Sequence, residues 1–542
     1  MNHAKLLDCT LRDGAYLIDK KFGDASINGI INGLLNTGID LIEIGFLQNE
    51  GFGEGKTVFK NSKDAEKYVP ENKNGTLFTV LADYSRYSVE NLDEYTGKSF
   101  DAVRACFFKK ERYDVIDFCK EIKRKGYKLF IQPVDILGYS DIELIEFIEM
   151  INTLEPYCLS IVDTFGSMYV EDLRRVYEII NHNLIPNCKI GFHSHNNMQM
   201  SSALSQEFLR MTFGKRNVVV DATISGMGRG AGNTPTELIV QYMVSKLGYN
   251  YDIDALLDVI DEYMDNIRSR CSWGYSTNYF IAGAYGAHVN NIAYLSKKNS
   301  IRYKDIRYIL NKVGAIPRKR YNYDLLEKTY VDYLNSEIDD SKALEYLKNI
   351  FQNRNVVMIA PGRTAKTCCS DIKRYIEENN ALVISVNFMY DSVKTDYMYF
   401  SNVKRYQYWS NVPETKSINK ILTSNVTLNP RENEYVVSFT KLVKCGWEHM
   451  DNSAILLLRL LDGLNVKSIA IAGLDGFEYN LKNTDNYVSP EMELANINDA
   501  SKLLNKELSE MLEDFMETKT GDENVIFITP SRFDFLGNNN YD

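Results

Sequence analysis

Short aliphatic and β-branched runs recur along the first 230 residues, at 5–8, 39–45, 76–81, 101–106, 128–133, 158–163, 189–193 and 218–223. Between them lie stretches with apolar residues at helical spacing, such as 114–125 and 141–154. Eight strands, each followed by a helical segment, predict a (β/α)8 TIM barrel. A doubly wound open sheet would alternate in the same way. The count of eight, and the lack of a glycine-rich dinucleotide turn after the first strand, favour the barrel.

The pattern then changes. Residues 238–247, 253–268 and 278–296 read as helices, and the last is rich in small residues that permit close packing. This exceeds one barrel unit and predicts a helical extension over the barrel mouth. A charged and aromatic stretch at 318–355 reads as a helical connector. A second domain starts with the strand Val356-Val357-Met358-Ile359-Ala360, the turn Pro361-Gly362-Arg363-Thr364, a helix to Glu378 and a strand at 382–387. Strand, glycine turn, helix and strand make a Rossmann-like unit. Later strands are predicted at 396–400, 435–439, 468–472 and 525–529, with helices at 453–461 and 499–519. The expected division is therefore a barrel over 1–245, a helical extension and connector over 246–353, and a Rossmann-like α/β domain over 354–542.

Composition narrows the function. A chain of 542 residues exceeds what one core usually serves. The net charge of −11 argues against a nucleic-acid binder. No apolar run reaches the ~18 residues of a membrane span, and the N-terminus lacks a signal-peptide pattern. Nine scattered cysteines without a CxxC pair predict a reducing, cytoplasmic setting and no disulfide framework. A homo-oligomer is expected.

In a barrel, reactive groups belong at the C-terminal strand ends. There the chain places Arg12 and Asp13, Glu43, Arg104, Gln132, Asp163 and Thr164, His193 and His195, and Asp221 and Thr223. His193 and His195 flank one strand residue, so both rings face the same side. The chain has only six histidines. Two imidazoles plus the Asp13 carboxylate suit a divalent metal with open positions, and Arg12 would hold a substrate oxyanion. The glycine-rich Gly226–Asn233 loop would bring Asn233 to the same basin.

These motifs resemble those of the DRE-TIM metallolyase superfamily, which includes 4-hydroxy-2-oxovalerate aldolase, HMG-CoA lyase and isopropylmalate synthase. The resemblance spans residues 1–245 and rests on DCTLRDG, IEIGF, VDTFGSM, GFHSHNN and GMGRGAGNTPTE. The wording of VDTFGSM and GAGNTPTE is closest to the 4-hydroxy-2-oxovalerate aldolases. The resemblance implies that Asp13, His193 and His195 bind Mg2+ or Mn2+, that Asn233 is a further ligand, and that Arg12 stabilises an enolate oxygen. Glu43, Arg104, Asp163 and Thr164 are substrate-side candidates, with Glu43 suited to orienting Arg12. The aldolases carry a histidine two residues after the glycine of TLRDG, whereas this chain has Tyr16. A phenol is a poor base at neutral pH. Tyr16 therefore acts in an altered environment, or another group takes the role, or the substrate differs. Tyr285 and His288 on the helical extension are further candidates, though packing roles suit both.

The second domain is similar to the Rossmann-like fold of bacterial sialyltransferases and motility-associated glycosyltransferase-like proteins. The similarity lies in IAPGRTAK, Val386-Asn387-Phe388, Asn452-Ser453-Ala454 and IAIAGLDGF. It implies a nucleotide or nucleotide-sugar pocket near Gly362, Asn387, Ser453 and Asp475. No histidine follows His449, where those transferases place a base. The expected activity is a metal-dependent carbon–carbon lyase or aldolase joining or cleaving a 2-oxo acid, pyruvate above all, and an aldehyde, for which the second domain suggests a sugar-derived one, as in surface-polysaccharide biosynthesis. A Claisen-type acyl transferase and a scaffold with an inactive barrel are the rivals.

Overall fold

The computed structural model describes residues 4–298, 301–334, 338–478, 487–488 and 497–536. Two compact units divide the chain, Met1–Ile292 with Ala315–Tyr321, and Ala293–Gly314 with Asn322–Asp542. No helix among the described residues is long and apolar enough to cross a membrane.

The first unit is a closed barrel of eight parallel strands. They are β1 (Ala4–Asp8), β2 (Leu41–Leu47), β3 (Leu77–Asp83), β4 (Ala102–Phe108), β5 (Lys128–Val134), β6 (Cys158–Asp163), β7 (Lys189–Ser194) and β8 (Val218–Ala222). Each pairs with the next, and β1 closes the ring by pairing with both β8 and β2. A two-residue strand, Val58–Phe59, lies beside the end of β2.

Strand periodicity explains the interior. Leu7, Leu41, Ala102, Phe130, Cys158 and Val219, one from each of six strands, form one buried apolar cluster. Six strands can meet in such a cluster only inside the barrel. Two residues further along five of those strands stand Glu43, Arg104, Gln132, Ser160 and Asp221, which must share that interior side, and Cys9 directly follows the end of β1. The barrel is thus plugged by an apolar layer, and a polar layer sits above it toward the C-terminal strand ends. On β2 the register slips between Glu43 and Phe46. Gly45 takes φ +152° there, and any side chain would strike the Thr57 carbonyl.

The helical extension differs from its expected form in one place. The predicted helix over 278–296 is two helices, Thr277–Ala284 and Val289–Ser296, broken at Gly286, where φ is +52°. A left-handed residue cannot continue a right-handed helix.

The second unit holds an open, all-parallel sheet of seven strands: β9 (Asn355–Ile359), β10 (Leu382–Val386), β11 (Tyr397–Phe400), β12 (Asn419–Thr423), β13 (Glu434–Val437), β14 (Ser468–Ala472) and β15 (Asn524–Phe527). Their spatial order is β13-β12-β11-β10-β9-β14-β15, so the chain reverses direction across the sheet between β9 and β14. The helices Tyr323–Leu334 and Ser341–Phe351 belong to this unit.

Candidate active site

The site begins where β1 ends. Asp8 accepts from the Thr10 amide at 2.9 Å and from the Thr236 hydroxyl at 2.6 Å, and Thr10 Oγ1 accepts from the Ile224 amide at 2.8 Å. These bonds tie the turn to the segment after β8. They set the one-turn helix Thr10–Asp13, on which Arg12 and Asp13 are buried.

Six side chains then close a ring. Arg12 Nε donates to Glu43 Oε2 at 2.7 Å, and Arg104 Nη1 donates to the same oxygen at 2.9 Å. Arg104 Nη2 pairs with Asp221, which accepts from His193 Nδ1 at 3.0 Å. His193 Nε2 faces Asp13 Oδ2 at 3.1 Å, and Arg12 Nη1 lies 3.1 Å from that oxygen. His195 Nε2 is 3.6 Å away, while its Nδ1 donates to the Asp163 carbonyl at 2.9 Å.

The charges shape one another. Burial would push the Asp13 carboxyl up, but Arg12 and the contacts with His193 and His195 outweigh it and hold it well below its ordinary value. Asp221 is likewise lowered, because Arg104 and His193 outweigh its burial. Asp163 is pushed up to about 6 by burial.

Three observations fit a divalent cation here. Asp13 Oδ2 is buried and faces Arg12, His193 and His195, yet it accepts no well-aligned hydrogen bond. Both histidines donate Nδ1–H to oxygen acceptors, so a neutral ring would turn an Nε2 lone pair toward that carboxylate. A cation between them resolves the repulsion. The ring also sets two guanidinium groups, Arg12 and Arg104, against three carboxylates, Glu43, Asp221 and Asp13, so with His193 neutral one buried negative charge is left unmatched. Asn233 lies opposite His195 through an antiparallel bridge, and its buried Oδ1 accepts no hydrogen bond. Gly232 makes that approach possible. It takes φ +83°, and a Cβ there would sit 2.0 Å from the Gly226 carbonyl oxygen.

Cys9 is a neighbour that the sequence reading passed over. Its Sγ lies within 4.8 Å of ligand atoms of Asp13 and His193. The thiol donates to the Ala222 carbonyl at 3.3 Å, and burial pushes it well above its ordinary value, so it stays a protonated thiol. Asp221 was visible at a strand end, but its role as the partner of His193 was not. Strand parity with His193 was the available signal.

The other expected residues fall into two groups. Glu43 and Arg104, both fully buried, are members of the ring, and the Gln132 amide oxygen turned toward Arg104 accepts from its Nη2 at 2.9 Å. Asp163 accepts from the Ser167 amide at 2.9 Å, and Thr164 Oγ1 accepts from the Asp135 amide at 2.8 Å, so both brace loops at the strand ends. Tyr16 is half-buried on the 3-10 turn Gly14–Ile18, and its phenol is raised by burial despite Arg229 and Arg12. His288 lies on the extension with its ring 5.1 Å from that of Tyr321, and burial lowers it to about 4.

In the second unit, Thr364 donates from its amide to Asp475 at 2.8 Å, beside Gly362. Asn387 Nδ2 donates to Ser453 Oγ at 2.7 Å. The four expected residues thus form two pairs beyond the C-terminal strand ends.

Comparison with known proteins finds relatives that match the N-terminal part of the chain. An oxaloacetate decarboxylase of Mycobacterium tuberculosis is 28% identical over 270 residues, covering 47% of this chain and 74% of that protein. A 4-hydroxy-2-oxovalerate aldolase of Carboxydothermus hydrogenoformans is 25% identical over 334 residues, 58% of this chain and 92% of that protein. That of Moorella thermoacetica is 27% identical over 277 residues, 49% and 78% respectively. A Bacillus subtilis HMG-CoA lyase structure aligns with a TM-score of 0.41 at 16% identity, over 52% of this chain and 97% of that one. The HMGL-like family model matches residues 3–261, so this part of the chain is similar to that family.

Proposed function

We propose that the barrel is a divalent-metal-dependent carbon–carbon lyase or aldolase that works through the enolate of a 2-oxo acid, pyruvate in the simplest case, with an aldehyde as the second reactant. The observation that carries this reading is Asp13 Oδ2, a buried carboxylate oxygen that faces the Nε2 atoms of His193 and His195 and accepts no hydrogen bond.

Asp13, His193 and His195 would hold Mg2+ or Mn2+, with Asn233 as a further oxygen donor. When bound, the cation polarises the 2-oxo acid and makes its C3 protons acidic. Arg12 is fixed through two of its nitrogens, to Glu43 and Asp13, and sets a positive charge where the oxyanion develops. Tyr16 stands next to these groups. Its phenol donates a proton to the aldehyde oxygen in condensation, and its phenolate accepts the hydroxyl proton in cleavage. The test is exchange of pyruvate methyl protons in D2O, followed by NMR, with Asp13→Asn and chelated protein as controls.

A second reading is decarboxylation of oxaloacetate. The 28% identity to an oxaloacetate decarboxylase favours it, and so does Tyr16. Loss of CO2 generates the same enolate without a base for a hydroxyl proton, and a raised phenol is suited to protonating C3. Release of CO2 from oxaloacetate by the metal-loaded protein, lost in Asp13→Asn, distinguishes it.

For the second sheet we propose a nucleotide or nucleotide-sugar pocket at Gly362, Asn387, Ser453 and Asp475. Open parallel sheets bind ligands beyond the strand ends where strand order reverses. Here that point lies between β9 and β14, beside Gly362 and Asp475. Titration calorimetry with nucleotides tests it.

A further inference from the structure

Beside the ring, on the side of Tyr16, two cations stand without a carboxylate. The Arg229 guanidinium lies over the Tyr16 ring, 3.9 Å from its centroid. Tyr16 packs edge-on against Phe46, with ring centroids 5.2 Å apart. The Lys20 ammonium sits 5.1 Å from the Phe46 centroid and donates to Gln48 Oε1 at 2.9 Å. Neither cation has a carboxylate within ion-pair distance among the described residues. The acids nearby are taken, Asp19 by Lys56 at 3.1 Å and Asp83 by Arg86 at 3.6 Å.

Lys20 is held in place by its backbone. It follows Asp19 in a second consecutive left-handed conformation, at φ +60°. Its amide donates to the Ala15 carbonyl at 2.7 Å, and its carbonyl accepts from the Thr57 amide at 2.9 Å. The ammonium is depressed first by burial and then by Arg86, with Lys56 and Arg229 adding to the effect, while Asp19 opposes them. Unneutralised positive charge therefore gathers here. Arg12 lies one turn before Tyr16, and Asn233 lies four residues beyond Arg229 on one loop. The two cations thus sit on the Tyr16–Phe46 ring pair, one against each ring, and Tyr16 is the residue proposed to move the acceptor's proton.

We propose that Lys20 and Arg229 form an anion subsite for a carboxylate or phosphate on the acceptor, so that the aldehyde partner is an anionic one. This rests on the aldolase reading above. In its absence the aromatic faces of Tyr16 and Phe46 hold the two cations. A charge-assisted bond to an anionic oxygen is stronger, and the arginine fork matches either group.

The test uses the full-length, Mn2+-loaded protein, pyruvate and two matched acceptor pairs. These are glyceraldehyde 3-phosphate against glyceraldehyde, and succinic semialdehyde against butanal. The expected result is a kcat/KM at least about tenfold higher for the charged member of one pair, and which pair responds separates phosphate from carboxylate. That ratio should fall toward one in the Lys20→Gln/Arg229→Gln protein and persist in Arg229→Lys. Methyl exchange on pyruvate with equal kcat/KM in both pairs overturns the subsite while leaving the aldolase reading intact. So does a preference that survives the double substitution. Absence of methyl exchange in the unsubstituted protein overturns the reading underneath, and the subsite with it.

Discussion

Asp221 accepts a hydrogen bond from His193 Nδ1 at 3.0 Å and thereby turns His193 Nε2 toward Asp13. A carboxylate behind a metal-binding imidazole fixes its tautomer and raises its basicity. Asp221→Asn is expected to weaken Mn2+ affinity by about 10–100-fold, read by titration calorimetry. Asp221→Ala also strips the buried Arg104 of a partner, and is expected to cost stability by roughly 3–5 kcal/mol in denaturant unfolding.

The proximity of Cys9 to Asp13 and His193 gives a second prediction. A buried, protonated thiol is a poor partner for Mg2+ or Mn2+, which favour oxygen and imidazole donors. Cys9→Ser should bind Mn2+ with unchanged stoichiometry, whereas His193→Ala and His195→Ala should lose it. Elemental analysis of the three purified proteins checks this.

Tyr16 predicts an unusual pH profile. In the cleavage direction the group must lose its proton to act as base, and burial raises its phenol above the ordinary value. Cleavage should therefore accelerate with rising pH through the neutral range and beyond. Tyr16→His should move the rise toward the imidazole value of about 6.5, and Tyr16→Phe should abolish it.

Asp8 links stability to pH. Burial raises its carboxyl from 3.8 to about 6, although Thr236 and Thr10 oppose the shift. The folded state thus holds this proton longer than the unfolded chain does. Stability should fall as pH rises from about 4 to about 6 and then level off, with a contribution of roughly 3 kcal/mol from this group. Asp8→Asn should flatten that decline in unfolding measured across this window.

The barrel was legible because its strands are short, β-rich and evenly spaced, and because inward residues repeat every second position. The ligand set was legible in part. His193-x-His195 on one strand gives two rings on one side, and Asp13 follows β1 directly. The ring was harder to read, because Arg104 and Asp221 look like basin residues in sequence. Only the closed barrel brings β4 beside Glu43 of β2 and Asp221 of β8. The strand Asn419–Thr423 escaped notice for a related reason. Lys420 interrupts its apolar pattern, yet its ammonium is buried and donates to the carbonyls of Thr415 and Ile418 at 2.7 and 3.1 Å. The break at Gly286 was hidden by flanking small residues that fit helix packing equally well.

In the proposed reaction Asp13, His193 and His195 hold a metal that lets the barrel form a 2-oxo acid enolate. Proton NMR of pyruvate in D2O with the Mn2+- or Mg2+-loaded protein, the Mn2+ removed by chelation before spectra are taken, tests it most directly, because no acceptor is needed. The methyl signal is expected to disappear at a rate that depends on metal and vanishes in Asp13→Asn. Methyl exchange unaffected by chelation and by Asp13→Asn, or no exchange above the protein-free rate, contradicts it.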